Sequence, residues 1–310
     1  MPRPVIVSAV RTAIGTSFKG SLVNTPAEVL ATTVLVEAVR RSGVERVVVG
    51  GGVQSLSMGP LMKWRIPGPS LEFEDRWIPP SHVEAPDAPT RDMSITVGWN
   101  TAQAVGITRE EMDAWALRSH QRAIAAIDSG AFVDEIVPLK IQGPDDALVD
   151  FSVDEHPRRN TSMEKLASLK VLHPEIEGFA VTAGNSSGTN DAAAALTLAD
   201  DNVARSAGLA VLGSVKTWAS AGVEPKDTGL GAVRVIGKVL DRADLSAADV
   251  TLWEINEAFA SVPIAACREY GLDEDRVNIY GSGCSLGHPI AATGARMLTT
   301  LVHELGRRGG

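Results

Sequence analysis

Apolar and polar positions along this chain fall into blocks that predict an α/β protein. Val5-Ile-Val-Ser-Ala-Val10 is a short apolar run, the pattern of a buried strand. Thr25 and Glu28 then have capping-box spacing, with Pro26 at the first helical position. Two apolar rows, Leu30, Val34, Ala38 and Ala31, Leu35, Val39, predict a helix that ends near Gly43. Val47-Val-Val49 reads as the next strand and runs into Gly50-Gly-Gly52. A βαβ opening of this kind predicts parallel pairing with a right-handed crossover.

Residues 60–92 change character. They are rich in Pro, carry Trp64 and Trp77, and show little periodicity. Such a stretch is either a long surface loop or one that covers a substrate. A second capping box, Thr108 with Glu111, starts a helix that reaches about Ile127. Ile107 and Met112 are spaced as its hydrophobic staple. From Val181 the α/β rhythm returns. Strands are predicted over 211–217, 250–255 and 277–280, and helices over 231–240, 257–270 and 290–305. Regular pattern at both ends around an irregular middle predicts two α/β halves and an inserted lobe. The expected boundaries are 1–58 with 181–210 for the first half, 59–180 for the lobe, and 211–310 for the second half.

Composition narrows the function classes. The 310 residues are 44% hydrophobic and 22% charged, as in globular domains. No apolar run has the length of a membrane span. Met1-Pro-Arg-Pro-Val-Ile-Val leads straight into a strand without a signal-peptide core, so a cytoplasmic location is expected. The two cysteines, Cys267 and Cys284, cannot form a disulfide framework or a structural zinc site by themselves, and no metal is expected. Net charge is −9 with no Lys/Arg cluster, which argues against a nucleic-acid partner.

Candidate chemistry gathers at two strand-to-helix junctions, Asn256-Glu-Ala-Phe259 and Gly281-Ser-Gly-Cys-Ser-Leu-Gly-His-Pro289. His288 precedes the last helix, whose positive end disfavours imidazolium. A neutral imidazole there donates one hydrogen bond to a developing oxyanion and accepts another. The plain alternative is a helix-start residue before an N1 proline. Asn256 is either an N-cap or a carboxamide that holds a water or a substrate oxygen. Glu257 reads first as a first-turn acid favoured by the dipole, second as an orienting group. Cys284, four residues before His288, reads as a small buried residue rather than a nucleophile, and Cys267 as packing. The glycines of 281–287 lack Gly-x-Gly-x-x-Gly spacing, so a dinucleotide site is not expected. They suit a tight turn and close backbone approach.

These segments, taken in order, resemble the thiolase family over nearly the whole chain. Val5-Ile-Val-Ser-Ala-Val-Arg-Thr-Ala-Ile-Gly15 is similar to the family's opening strand and turn. Gly51-Gly-Val-Gln-Ser-Leu-Ser-Met58 resembles its Gly-Gly-Met-Glu-Ser-Met-Ser segment. Ile107-Thr-Arg-Glu-Glu-Met-Asp113 and Ser119-His-Gln-Arg122 resemble its loop-domain helix. Val181-Thr-Ala-Gly-Asn-Ser-Ser-Gly188 with Asn190-Asp191, then Trp253-Glu-Ile-Asn-Glu-Ala-Phe-Ala260 and Gly287-His-Pro289, complete the pattern. Thr217-Trp-Ala-Ser-Ala-Gly222 resembles the CoA-contacting strand, with Thr217 in place of the usual serine.

The resemblance implies a thiolase-like fold, two α/β halves in α-β-α-β-α layers with a loop lobe. It implies making or cleaving a carbon–carbon bond beside an acyl thioester. His288 and Asn256 would bind the oxyanion, and Thr217, Ala219 and Gly222 would line coenzyme A. Coenzyme A or acyl-CoA would be the substrate, with no permanently bound cofactor and no membrane partner. The assembly would be a homodimer or tetramer. Two departures stand out. The family's strand and loop with the nucleophilic cysteine are missing between Gly43 and Gly51, and the segment with the acid/base cysteine is missing at the end. Two functions follow: a thiolase-type acyltransferase whose sequence is incomplete or impaired, or a non-catalytic CoA or acyl-CoA binder or partner of a complete thiolase.

Overall fold

The computed structural model describes residues 3–44, 48–59, 62–66, 71–76, 81–143 and 147–309. Strand β1 (Pro4–Arg11) is buried along almost its whole length, as the apolar run requires. β2 (Gly15–Thr16) follows, then helix α1 (Ala27–Ser42). The hairpin β4 (Met62–Arg65) and β5 (Phe73–Arg76) comes after β3 (Val48–Gln54). Next are α2 (Asn100–Val105), α3 (Arg109–Asp128), the hairpin β6 (Leu139–Gln142) and β7 (Leu148–Phe151), and α4 (Met163–Ala167). The chain continues through β8 (Asn190–Asp200), α5 (Asp201–Ser206), β9 (Gly213–Ser214), α6 (Thr228–Ala243), α7 (Ser261–Tyr270) and α8 (Ile290–Arg307).

The main sheet is built around β8. β1 and β3 flank it, both antiparallel to it, and β2 pairs with its first residues. β1 and β3 are therefore parallel to each other but do not pair, because β8 lies between them. The direct parallel pairing expected of the βαβ opening is corrected accordingly. Helix α1 packs on one face through Leu30, Val34 and Ala38 against Val10, Ala193 and Ala195. Val302 of α8 packs against Ile6, Ala9 and Leu196 in a separate cluster. At Gly52 a side chain would run into the carbonyl of Ala291, so the glycine lets α8 lie close on β3. Among the described residues β3 pairs only with β8, which leaves its other edge open. Its first residue, Val48, is 70% exposed.

The second capping box forms as the sequence predicts: Thr108 and Glu111 bond reciprocally, with Ile107 and Met112 both buried in one cluster. The first does not. Pro26 takes the N-cap position itself, with no side-chain cap bond, so Thr25 and Glu28 are out of register by one residue. The second apolar row of α1 is also not core, since Leu35 and Val39 are exposed. The strands expected over 211–217, 250–255 and 277–280 shrink to β9 and one bridge, Trp253 to Val277. Asn278 explains part of this. Its backbone is left-handed, φ 50, and its carboxamide accepts from Ile255 N and donates to Ile255 O, both at 2.8 Å. The side chain replaces a neighbouring strand. The helix expected over 257–270 begins only at Ser261, because Ala258 O and Ala260 N bond Ser187 N and Asn185 O. Trp77 and Val47 lie outside the described residues.

One buried charge cluster ties the sheet to both other regions. Arg11 Nε donates to Glu135 at 2.6 Å, and its two terminal nitrogens grip Asp154 at 2.8 and 2.9 Å. Thr300 of α8 donates to the same Glu135 at 3.1 Å, and Asp154 also accepts from Ile14 N. Burial disfavours the guanidinium charge, but the two carboxylates outweigh it and raise the Arg11 pKa. Arg11→Ala is expected to cost about 3–5 kcal/mol, the cost of leaving buried charges unpaired. Urea unfolding measures it, and a loss below about 1 kcal/mol would contradict this view of the cluster.

Candidate functional site

The two chemistry-bearing junctions meet. Asn256 Nδ2 lies 3.3 Å from His288 Nε2 and 3.4 Å from Nδ1. Neither residue is a helix cap: the cap of α7 is Ala260 and that of α8 is Pro289. The capping alternative for Asn256 is thereby removed, and its carboxamide is left for other work. Its Oδ1 is buried with no hydrogen-bond partner among the described residues.

Glu257 holds this arrangement together. It is 1% exposed and accepts four hydrogen bonds. Trp115 Nε1 at 2.9 Å and Asn278 Nδ2 at 2.8 Å reach Oε1, while Ser119 Oγ at 2.6 Å and Cys284 N at 3.2 Å reach Oε2. The first-turn dipole reading of Glu257 is corrected: it precedes α7 by four residues and acts as an orienting group. Its partners come from α3, from the turn at Asn278 and from the loop that leads to His288.

A second support was not read from the sequence. Asn190, at the start of β8, accepts from His288 N at 3.0 Å and donates to Gly15 O at 3.1 Å. Gly287 is left-handed, φ 108, and a Cβ there would lie 2.5 Å from the Asn190 carboxamide. Only glycine allows that approach. The one available signal was Asn190-Asp191 beside the glycine-rich segment, which gave a resemblance but no role. His120 and His156 were also missed. Their rings stack 6.3 Å apart, and His156 Nδ1 bonds Ser285 O at 2.9 Å, so the segment after β7 touches the loop before His288.

The imidazole of His288 is held neutral. Burial first, then the positive charge of Arg296, bring its pKa down to about 4. The sequence reading named the helix end as cause; desolvation and Arg296 are the ones the structure supplies. Burial raises the pKa of Glu254, 3.3 Å from Arg296, so that this carboxyl offsets the Arg296 charge less than an exposed one would.

Neither thiol is poised to react. Cys284 is 1% exposed, beside Glu257, and burial raises its pKa well above the usual range. Burial pushes Cys267 up to about 12. A thiol acts as nucleophile through its thiolate, so both behave as packing groups.

Thr217, Ala219 and Gly222 belong to a segment whose backbone is held by side chains of α6. Arg242 donates to Trp218 O at 2.5 Å and Lys238 to Ser220 O at 3.0 Å. Thr217 and Ala219 are half-buried and Gly222 is exposed. No recorded hydrogen bond joins them to His288 or Asn256. A cavity of about 970 Å³ lies elsewhere again, lined by Phe18, Val53, Leu56, Met58 and Met62 among others, and its lining includes neither His288 nor Asn256. Among the described residues no group of three His, Cys, Asp or Glu could hold a metal, and no helix is long and apolar enough to cross a membrane.

With this geometry in place, the comparisons with known proteins decide the family. The thiolase N-terminal domain profile matches residues 41–202 and the C-terminal domain profile matches 209–310. The chain belongs to the thiolase family. It is 40% identical to an acetyl-CoA acetyltransferase of Pseudomonas aeruginosa, over 86% of this chain and 68% of that protein. It is 36% identical to an acetyl-CoA acetyltransferase of Escherichia coli, over 99% of this chain and 94% of that protein. The latter match spans 373 positions, more than this chain's 310 residues, so that relative carries residues with no counterpart here. Among solved structures, the Bacillus anthracis acetyl-CoA acetyltransferase superposes with a TM-score of 0.89 at 35% identity, covering 100% of this chain and 93% of that one. Human mitochondrial 3-ketoacyl-CoA thiolase in complex with CoA superposes at 0.85 with 26% identity and the same coverage. The thiolase-like fold expected from sequence is therefore the fold of this chain.

The neutral histidine gives a pH prediction. A pKa near 4 in the fold against an ordinary 6.5 means that the unfolded chain binds the proton first. The contribution is fully present above pH 6.5 and is lost as pH falls toward 4. His288→Gln should make the acid-side loss of unfolding free energy shallower than in the unmodified protein. Equal slopes between pH 6.5 and 4 would contradict a buried, neutral His288.

Proposed function

We propose that this thiolase-family chain binds an acyl-CoA thioester at the His288–Asn256 cleft and carries acetyl-CoA C-acetyltransferase-like chemistry only weakly. The observation that carries this is the close approach of the Asn256 and His288 side chains, together with two cysteines that both stay protonated. Asn256 supplies a carboxamide N–H to a thioester oxygen, and His288 supplies a neutral imidazole beside it. An oxyanion forms only after a nucleophile attacks, and no cysteine among these 310 residues is placed or ionised to do so. Polar groups aimed at an oxyanion are worth about 10²–10³ in rate, enough for background thioester hydrolysis. The same observation favours the binder reading over a fully active acyltransferase.

In this reading coenzyme A lies along the lobe and the Thr217, Ala219 and Gly222 segment, with its thioester toward His288. Hydroxyls and backbone groups of that segment supply polar contacts. Lys238 and Arg242 now add two cations beside that segment, suited to the anionic part of coenzyme A. A cytoplasmic location and a homodimer or tetramer are parts of the same reading.

Two measurements on the purified chain test it together. Titration with acetyl-CoA should show binding that His288→Ala and Asn256→Ala each weaken. Cleavage of acetoacetyl-CoA by CoA should run far below the ordinary enzymatic range of about 1–10³ per second. Absence of binding removes the proposal. Turnover in the ordinary range, lost in Cys284→Ala, would show that Cys284 is a nucleophile after all.

A further inference from the structure

We propose that the cavity of about 970 Å³ is a site for a linear alkyl chain, the tail of an acyl-CoA whose thioester sits at the His288–Asn256 cleft. The cavity part stands on its own geometry; the acyl-CoA part rests on the function proposed above. The volume lies at the upper end of the range of about 300–1,000 Å³ that ligand pockets occupy. Phe18, Val53, Leu56, Met58 and Met62 give it a mainly apolar wall. Glu28 is the only charged side chain in the lining. It repels a carboxylate, and no cation there would hold a phosphate, so the chemistry suits an uncharged chain.

The wall is built rather than incidental. Phe18 is held in the left-handed region, φ 66, which side chains other than glycine rarely adopt. Its N–H donates to Ser57 Oγ at 2.8 Å, and that hydroxyl donates to Asp191. Asp191 is fully buried and also accepts from Ser17 Oγ at 2.7 Å and from Leu56 N at 2.6 Å. One carboxylate therefore fastens the Phe18 turn to the Leu56–Ser57 turn. The strained turn leaves the Phe18 ring 65% exposed, and Phe18 belongs to none of the buried apolar clusters among the described residues. Strain that the core does not use points to a ligand. Met58 is 50% exposed, and an unbranched thioether adapts its shape to a chain laid against it.

Three consecutive residues join this cavity to the cleft. Thr189 lines the cavity, Asn190 accepts from His288 N at 3.0 Å, and Asp191 clamps the cavity wall. Gln54, also in the lining, accepts from Ala291 N at 3.3 Å, three residues after His288. The start of β8 and the start of α8 thus serve both places. An acyl thioester has the uncharged tail that the cavity suits and the carbonyl that the cleft suits. Longer acyl groups are therefore favoured over acetyl.

Calorimetric titration of the whole chain with acetyl-, hexanoyl- and decanoyl-CoA tests this. Affinity should rise about threefold to fourfold per added methylene until the cavity is filled, the factor that corresponds to about 0.8 kcal/mol. Met58→Trp fills the space at an exposed position and should flatten the rise while leaving acetyl-CoA affinity unchanged. Phe18→Gly suits the left-handed backbone, so it folds, and should weaken decanoyl-CoA several-fold without affecting acetyl-CoA. Carbon-13 NMR of the methionine methyls supplies a local readout, with Met58 identified by the loss of its signal in Met58→Leu. Decanoyl-CoA should shift that signal and acetyl-CoA should not. Equal affinity for the three acyl-CoAs, or a Met58 signal unmoved by decanoyl-CoA, overturns the proposal. A signal that 1-decanol shifts while acyl-CoA affinity stays flat would assign the cavity to a free alkyl ligand and overturn the acyl-tail assignment. If acetyl-CoA fails to bind while decanoyl-CoA and 1-decanol both shift Met58, the cavity stands and only the cleft reading falls.

Discussion

A single buried carboxylate, that of Glu257, sets the geometry on which the site depends. It takes donors from an aromatic ring nitrogen, a hydroxyl, a carboxamide and a backbone amide, and these come from three separate stretches of chain. In a buried place a lost hydrogen bond leaves the full desolvation cost of the unpaired group. Asn256 is its chain neighbour, and Cys284 N is four residues before His288. One group therefore fixes both junctions relative to α3. Gly283 belongs to the same constraint, because a side chain there would strike the Glu257 carbonyl.

The sheet does a different job. It holds Asn190 at the start of β8, and Asn190 carries the backbone of His288. Arg11, Glu135 and Asp154 lock β1 to the segments before β6 and after β7, and Thr300 joins α8 to the same cluster. The site is thus held from both sides, by Glu257 through the helices and by Asn190 through the sheet. The open edge of β3 lies outside both supports. Sheet strands normally cover such edges, and exposed Val48 is the kind of residue a further strand would bury.

Much of this was legible in the sequence, and the reasons differ by element. β1, α1, α3 and α8 follow from periodicity, because each buries a face that its own residues dictate. The meeting of Asn256 and His288 followed from two motifs at strand-to-helix junctions, though the strands leading to them dissolved into a single bridge. Periodicity reports which side is buried, not whether a neighbouring strand exists, and Asn278 supplied a side chain where a strand was expected. The start of α7 was missed because backbone groups at 258 and 260 are committed to residues 187 and 185, some 70 positions away (258 − 187 = 71). Glu257 was read locally, as a helix-dipole acid, for the same reason: its four partners include Trp115, distant in sequence and invisible to any local pattern.

The central claim is that Glu257 orders Asn256 and the loop to His288 while the sheet stands independently. Hydrogen exchange followed by mass spectrometry on the unmodified protein and on Glu257→Gln tests it most directly. The account predicts faster exchange in residues 278–288 and in the 115–122 turn region of α3, with β1 and β8 unchanged. Protection of 278–288 equal to that of the unmodified protein, or a loss spread evenly over the sheet, would contradict it.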